Sequence, residues 1–175
     1  LTDLKKHTDR QITHFENPVP MIEGLITRQF VEYTRKDGLR CCGNLYLPAG
    51  YDKEKDGPLP VYMWTYPYEY KCAAECEKDR TDRYGFVKPT YSTAMIWASQ
   101  GYAVLDGFTM AIVAADKDSL ENDVFLEQLV MSAEAAVDFV CDSLGIGDRE
   151  RLGVGGHSYG GFMTGNLLAH TRLFK

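Results

Sequence analysis

Arg151-Leu-Gly-Val-Gly155-Gly156-His157-Ser158-Tyr159-Gly160-Gly-Phe-Met-Thr-Gly-Asn-Leu-Leu-Ala-His170 decides how the rest of the chain is read. Arg151 to Gly155 reads as a short strand and Tyr159 to His170 as a helix. Between them lies Gly156-His157-Ser158-Tyr159-Gly160, a G-x-S-x-G pentapeptide. The bare pattern would turn up by chance in roughly 6% of chains of this length, taking Gly and Ser near ~7% each. Its setting carries the inference, because a serine on a tight strand-to-helix turn is a nucleophile elbow.

The glycines have a steric reason. The serine of an elbow sits at a strained backbone angle, and side chains two before and two after it would collide across the turn. The helix N-terminus beneath supplies partial positive charge and free N–H groups. The N–H of Tyr159 is then placed to bind an oxyanion on an attacked carbonyl. A serine hydroxyl also needs a base to take its proton, and elbow enzymes supply it in the chain order Ser, then Asp or Glu, then His. The 17 residues after Ser158 contain no Asp or Glu and a single histidine, His170. Twelve residues along the helix puts His170 about 18 Å away by helical rise. The side chain of His157 should point away from the site, and both histidines read as structural. The chain is therefore expected to be the front half of a catalytic domain, with its Asp and His beyond Lys175.

Working back from the elbow, Leu126, Leu129, Val130, Ala133, Val137, Val140, Cys141 and Leu144 recur at three-to-four spacing, a long helix closed by Gly145. A polar loop over 114–122 precedes it, and Tyr102 to Leu105 reads as a short buried strand. Ser92 to Ser99 reads as a short helix stopped by Gly101. Residues 68–90 hold many charges without periodicity and read as a surface excursion. Val61 to Tyr66 is a strand rich in aromatic and β-branched types, expected to end where Pro67 cannot donate to a ladder. Leu25 to Tyr33, with Leu25, Val31 and Tyr33 on one face, and Cys41 to Leu47 form a hairpin around Asp37-Gly38. Residues 51–58 are a charged loop. Residues 1–20 end in Asn17-Pro18-Val19-Pro20 and read as a linker. Antiparallel entry followed by alternating strand and helix implies an α/β fold: a mixed, mostly parallel sheet covered on both faces.

A second candidate is Tyr66, at the end of a strand, because ligands in open α/β sheets gather beyond the carboxyl ends of strands. Its phenol could supply a further oxyanion donor or simply cap the sheet, since Tyr62, Trp64, Tyr68 and Tyr70 share its alternation.

The composition narrows the partners. The 175 residues are 45% apolar and 25% charged, which suits one globular domain, and the formal charge of −6 argues against nucleic acid and anionic membranes. No apolar run nears the roughly 18 residues of a membrane span. Leu1-Thr2-Asp3-Leu4-Lys5-Lys6-His7 has no signal core and no initiator Met, and reads as the start of a cut piece. Five cysteines make no disulfide framework: they read as reduced and structural, with one disulfide as the alternative. Neither they nor the four histidines show metal spacing. No cofactor or metal is expected.

Gly155-Gly-His-Ser-Tyr-Gly-Gly-Phe-Met-Thr, with the helix before it, resembles the prolyl oligopeptidase family of serine peptidases. Glu127-Gln-Leu-Val-Met-Ser-Ala-Glu-Ala-Ala-Val137 and Gly155 to His170 look most like its glutamyl endopeptidase branch, which Leu45-Tyr-Leu-Pro-Ala-Gly-Tyr51 and Ile12-Thr-His-Phe-Glu-Asn-Pro18 also fit. The resemblance implies an α/β-hydrolase domain, of which residues 21–175 are the N-terminal half, and a β-propeller from which residues 1–20 lead. It implies Ser158 as nucleophile, Tyr66 as the hydroxyl donor of the oxyanion hole, and Tyr159 as its backbone donor. Many relatives carry Tyr-x-Gly where this chain has Tyr66-Pro67-Tyr68. A peptide is the implied substrate, Glu-directed in that branch, and the propeller and the C-terminal half of the same protein are the implied partners. An esterase or acyl-peptide hydrolase on the same fold, and a non-catalytic binding module, are the alternatives.

Overall fold

In the computed structural model, residues 2–3, 8–9, 14, 16, 20–22, 24–78, 89–90 and 93–175 are described. Two short strands, β1 (Thr2–Asp3) and β2 (Thr8–Asp9), pair antiparallel within the segment read as a linker. β3 (Ile26–Thr34) and β4 (Arg40–Pro48) then form a hairpin in unbroken antiparallel register from Ile26↔Pro48 to Thr34↔Arg40. The turn closes with Arg35 N–H donating to Leu39 O at 2.9 Å and Gly38 N–H donating to Arg35 O at 2.8 Å. A one-turn helix α1 (Lys53–Asp56) leads to β5 (Leu59–Trp64), β6 (Pro67–Tyr70) and a second one-turn helix α2 (Ala73–Cys76). After a 3₁₀ segment over Ala94–Gln100 come β7 (Ala103–Asp106), β8 (Met110–Val113), helix α3 (Phe125–Asp138), β9 (Gly147–Gly155) and helix α4 (Tyr159–His170).

Five strands make one sheet in the order β3-β4-β7-β5-β9. β4 pairs antiparallel with β7, and β5 lies parallel between β7 and β9. Alternation along the strands sorts the core into two layers. Leu45, Val61, Met63, Leu105 and Leu152 pack with Leu129, Ala133 and Val137 of α3 and Met163 and Leu167 of α4. Tyr46, Val104, Tyr62 and Trp64 face the 3₁₀ segment through Ala94, Met95 and Ala98. Each fully buried Leu, Val or Met among these contributes about 1.5–3 kcal/mol. Cys41 and Cys42 are both buried because both faces of β4 are covered, and all five cysteines are free.

A buried arginine ties the hairpin to the helical layer. Arg35, 1% exposed, donates to Ala111 O and Ser132 Oγ at 2.9 and 2.8 Å, to Gln128 Oε1 at 2.6 Å, and to both oxygens of Asp37. Charge-assisted bonds of this kind compensate the desolvation of the guanidinium.

The structure departs from the sequence expectations in several places. The segment read as an excursion contains β6, which pairs parallel with β8 as a separate two-stranded sheet, while residues 79–88 of it lie outside the described residues. β5 ends at Trp64 rather than Tyr66: its last ladder bond to β7 runs from the Gly107 N–H to Trp64 O, and the chain then turns into β6 at Pro67. Pro67 is tolerated as the first residue of that strand. Leu25 is exposed and Phe30 and Val31 are both half-buried, since β3 is the sheet edge and neither face is fully covered. The helix expected through Leu144 widens after Asp138 into a π-helical turn, in which Leu144 N–H reaches Phe139 O.

Candidate active site

β9 and α4 meet at the pentapeptide. Ser158 is the N-cap of α4 at φ 55°, ψ −116°, and among the described residues it is the one non-glycine with positive φ. Such a conformation costs about 1–3 kcal/mol and persists when the surroundings over-determine it. They do so here. A Cβ on Gly156 would lie 2.6 Å from the carbonyl carbon of Gly160, and a Cβ on Gly160 would lie 2.6 Å from Thr65 O at the end of β5. The first collision is across the turn, as expected from sequence; the second is with the neighbouring strand.

The serine side chain does not cap its own helix, and among the described residues its Oγ makes no hydrogen bond. Gly160 N–H donates to His157 O at 2.8 Å and Gly161 N–H to Ser158 O at 2.9 Å. The Tyr159 N–H is left without a partner among the described residues, at the positive end of the helix dipole. His157 is exposed beside the serine without bonding it, and His170 is exposed at the far end of α4.

Tyr66 packs against the same turn, its ring 3.7 Å from where a Cβ on Gly160 would lie. Its backbone is fixed from both sides. Thr65, buried, donates N–H to Gly155 O at 3.3 Å and Oγ1–H to Phe108 O at 2.7 Å, and buried Pro67 opens β6. The Tyr66 ring meets the Tyr159 ring edge-on at 5.8 Å and 74°, and Tyr68 at 5.2 Å. The structure thus brings Tyr66, Ser158 and Tyr159 to one end of the sheet.

Three neighbours of the site escaped sequence analysis. Glu69 accepts a hydrogen bond from the Tyr159 hydroxyl at 2.6 Å. Phe125, from the start of α3, stacks on Tyr159 at 5.6 Å, and Phe162 stacks on Tyr159 at 5.9 Å. Partial burial, and then the carboxylate accepting its proton, push the Tyr159 phenol well above its usual range, so it stays a donor. The signal for Glu69 was a lone carboxylate in the aromatic run Tyr66-Pro-Tyr-Glu-Tyr70; for Phe162 it was its place one turn beyond Tyr159 on the same helix.

Residues 130–175 match the model of the Prolyl oligopeptidase family. The chain is 44% identical over 161 residues to the probable chloroplastic glutamyl endopeptidase of Arabidopsis thaliana, covering 92% of this chain and 16% of that protein. Residues 130–175 place this part of the chain in the prolyl oligopeptidase family. A second relative, the rice (Oryza sativa subsp. japonica) protein of the same name, is 42% identical over 160 residues, covering 91% of this chain and 17% of its own length. The chain therefore spans about a sixth of the length of the curated relatives it matches. Among solved structures it is similar to the apo AtxE2 isopeptidase, with a TM-score of 0.64 at 19% identity, covering 86% of this chain and 22% of that one. The mixed sheet with helices on both faces is the α/β-hydrolase fold common to the family.

Proposed function

We propose that the protein is a serine-type peptidase that hydrolyses peptide bonds through an acyl-enzyme on Ser158. The observation that carries this reading is Ser158 at φ 55°, ψ −116°, with an uncommitted Oγ beside the open Tyr159 N–H. Ser158 Oγ attacks the substrate carbonyl carbon, its proton passes to a base, and the carbonyl π pair moves onto oxygen. That oxyanion accepts from the Tyr159 N–H and the Tyr66 hydroxyl. Collapse breaks the C–N bond, and the leaving amine takes the proton held by the base. Water, deprotonated by the same base, then attacks the acyl ester and restores Ser158. The base and its orienting carboxylate come from the C-terminal half of the catalytic domain. A β-propeller ahead of residue 21 restricts access to peptides. The names of the two plant relatives support a preference for Glu at the cleaved bond.

The test uses the full-length protein and a fluorophosphonate probe. The expected adduct lies on Ser158, located by peptide mass spectrometry. A folded, unlabelled protein would sink the peptidase reading. Tyr66→Phe should lower kcat by about 10²-fold with KM little changed, the cost of one oxyanion donor; wild-type kcat would remove Tyr66 from the hole. Equal cleavage of peptides with Glu and Gln at the cleaved bond would remove the Glu preference.

A further inference from the structure

The two donors assigned to the oxyanion come from segments far apart in sequence. Tyr66 lies between β5 and β6, and Tyr159 opens α4. Their separation must be held to a fraction of an ångström, because a misplacement of about 1 Å can cost 10²-fold in rate. Backbone contact fixes one side, where Gly160 sits against Thr65 O. On the other side stands Glu69, third residue of β6, directly opposite Ile112 in the parallel ladder with β8. Its carboxylate accepts the Tyr159 hydroxyl at 2.6 Å across 90 positions of sequence. The Tyr159 ring so held presents its side to Tyr66, edge-on at 5.8 Å. The backbone N–H and the side chain belong to the same residue, so anchoring that side chain also limits rotation of the first turn of α4.

We propose that Glu69 is a positioning residue that sets the Tyr66 hydroxyl against the Tyr159 N–H, through its hydrogen bond to the Tyr159 hydroxyl. This rests on the peptidase reading above and goes beyond it, since Glu69 touches neither substrate nor the reacting atoms. The place of β6 directly after Tyr66 suits this role. A strand pinned to β8 gives Glu69 a fixed base from which to reach α4, and the four-residue β6 starts at Pro67, next to the tyrosine it serves.

The test compares Glu69→Ala, Glu69→Gln, Tyr159→Phe and the double variant Glu69→Ala/Tyr159→Phe in the full-length protein. The readouts are kcat and KM on a blocked tripeptide anilide, and affinity for the matching peptide aldehyde and for the peptide acid product. The aldehyde forms a hemiacetal with Ser158 that needs the oxyanion hole; the acid product is a ground-state ligand. Expected for Glu69→Ala is a loss in kcat of about tenfold, less than the 10²–10³ of a donor removed outright. KM stays within about twofold, and aldehyde affinity falls in step with kcat while product affinity holds. Tyr159→Phe should match it, the double variant should be no worse than either single one, and Glu69→Gln, which keeps an acceptor oxygen, should recover most of the loss. Wild-type kcat in Glu69→Ala, additive losses in the double variant, or equal weakening of aldehyde and product would each overturn the role. Should Glu69→Ala fail to fold, Tyr159→Phe decides by the same criteria. Fluorophosphonate labelling of wild type separates the two readings: no adduct overturns the peptidase, and an adduct with unchanged variants overturns Glu69 alone.

Discussion

The β3–β4 hairpin and the β9–α4 elbow are both tight reversals, built on opposite terms. The hairpin turn puts its positive φ, 91°, on Gly38, where nothing lies within 4 Å of a would-be Cβ. The elbow puts its positive φ, 55°, on a serine, and surrounds it with glycines whose missing side chains leave room for backbone. At the hairpin the residue type relieves the conformation. At the elbow the conformation is imposed on the serine proposed above as nucleophile, and packing against Thr65 O sustains it. Strain thus falls on the serine itself, with relief confined to its glycine neighbours, and it is this placement that motivates the proposed role.

Ser158→Gly should separate the two terms most sharply. Fluorophosphonate labelling at the site should vanish. Stability should rise by about 1 kcal/mol, the strain relieved less the extra chain entropy of glycine, read as a higher melting temperature of the full-length protein. A fall in melting temperature would mean that the serine is not strained in the sense argued. Next in size is the paired comparison of Gly156→Ala with Gly38→Ala. At Gly156 the added methyl meets backbone at 2.6 Å, which nothing flexible can relieve; a loss of about 3 kcal/mol or more is expected, with labelling reduced. At Gly38 only the positive φ opposes alanine, and about 1 kcal/mol is expected with labelling intact. Equal losses at the two sites would erase the distinction between them.

The same contrast explains what could be read in advance. The hairpin and elbow are local: Asp37-Gly38 and Gly156-His-Ser-Tyr-Gly160 carry their geometry in adjacent residues, so the turn, the strands beside it and α4 were legible. β6 and β8 were not. Each is four residues long, one begins with proline, and their pairing joins Pro67 to Met110 across α2, the 3₁₀ segment and β7, which no local periodicity records. Glu69 was hidden for the same reason, because its partner is 90 positions away. Tyr66 was legible as a strand-end aromatic, but its edge-on contact with Tyr159 follows from β5 stopping at Trp64, two residues early.

The smallest expected effect tests the quiet side of the comparison. Asp37, in the hairpin turn, accepts from Arg35 Nε at 2.9 Å and Nη2 at 2.7 Å, and from the Leu39 N–H at 3.3 Å. Hydrogen bonding by the Arg35 guanidinium chiefly holds its carboxyl below the usual carboxylate range. A carboxyl with a depressed pKa in the folded state adds stability that is fully present above its unfolded value, near ~3.9, and is lost as pH falls through the folded value. Asp37→Asn should therefore melt below wild type at neutral pH, and the gap should narrow as the pH drops under about 4. Asp37 is 37% exposed and water screens the pair, so the shift is a modest one. A gap that stays constant across the acid range would show that Asp37 acts through turn geometry rather than charge. At the elbow, by contrast, the backbone of Ser158 is held by steric exclusion at Gly156 and Gly160, which does not titrate.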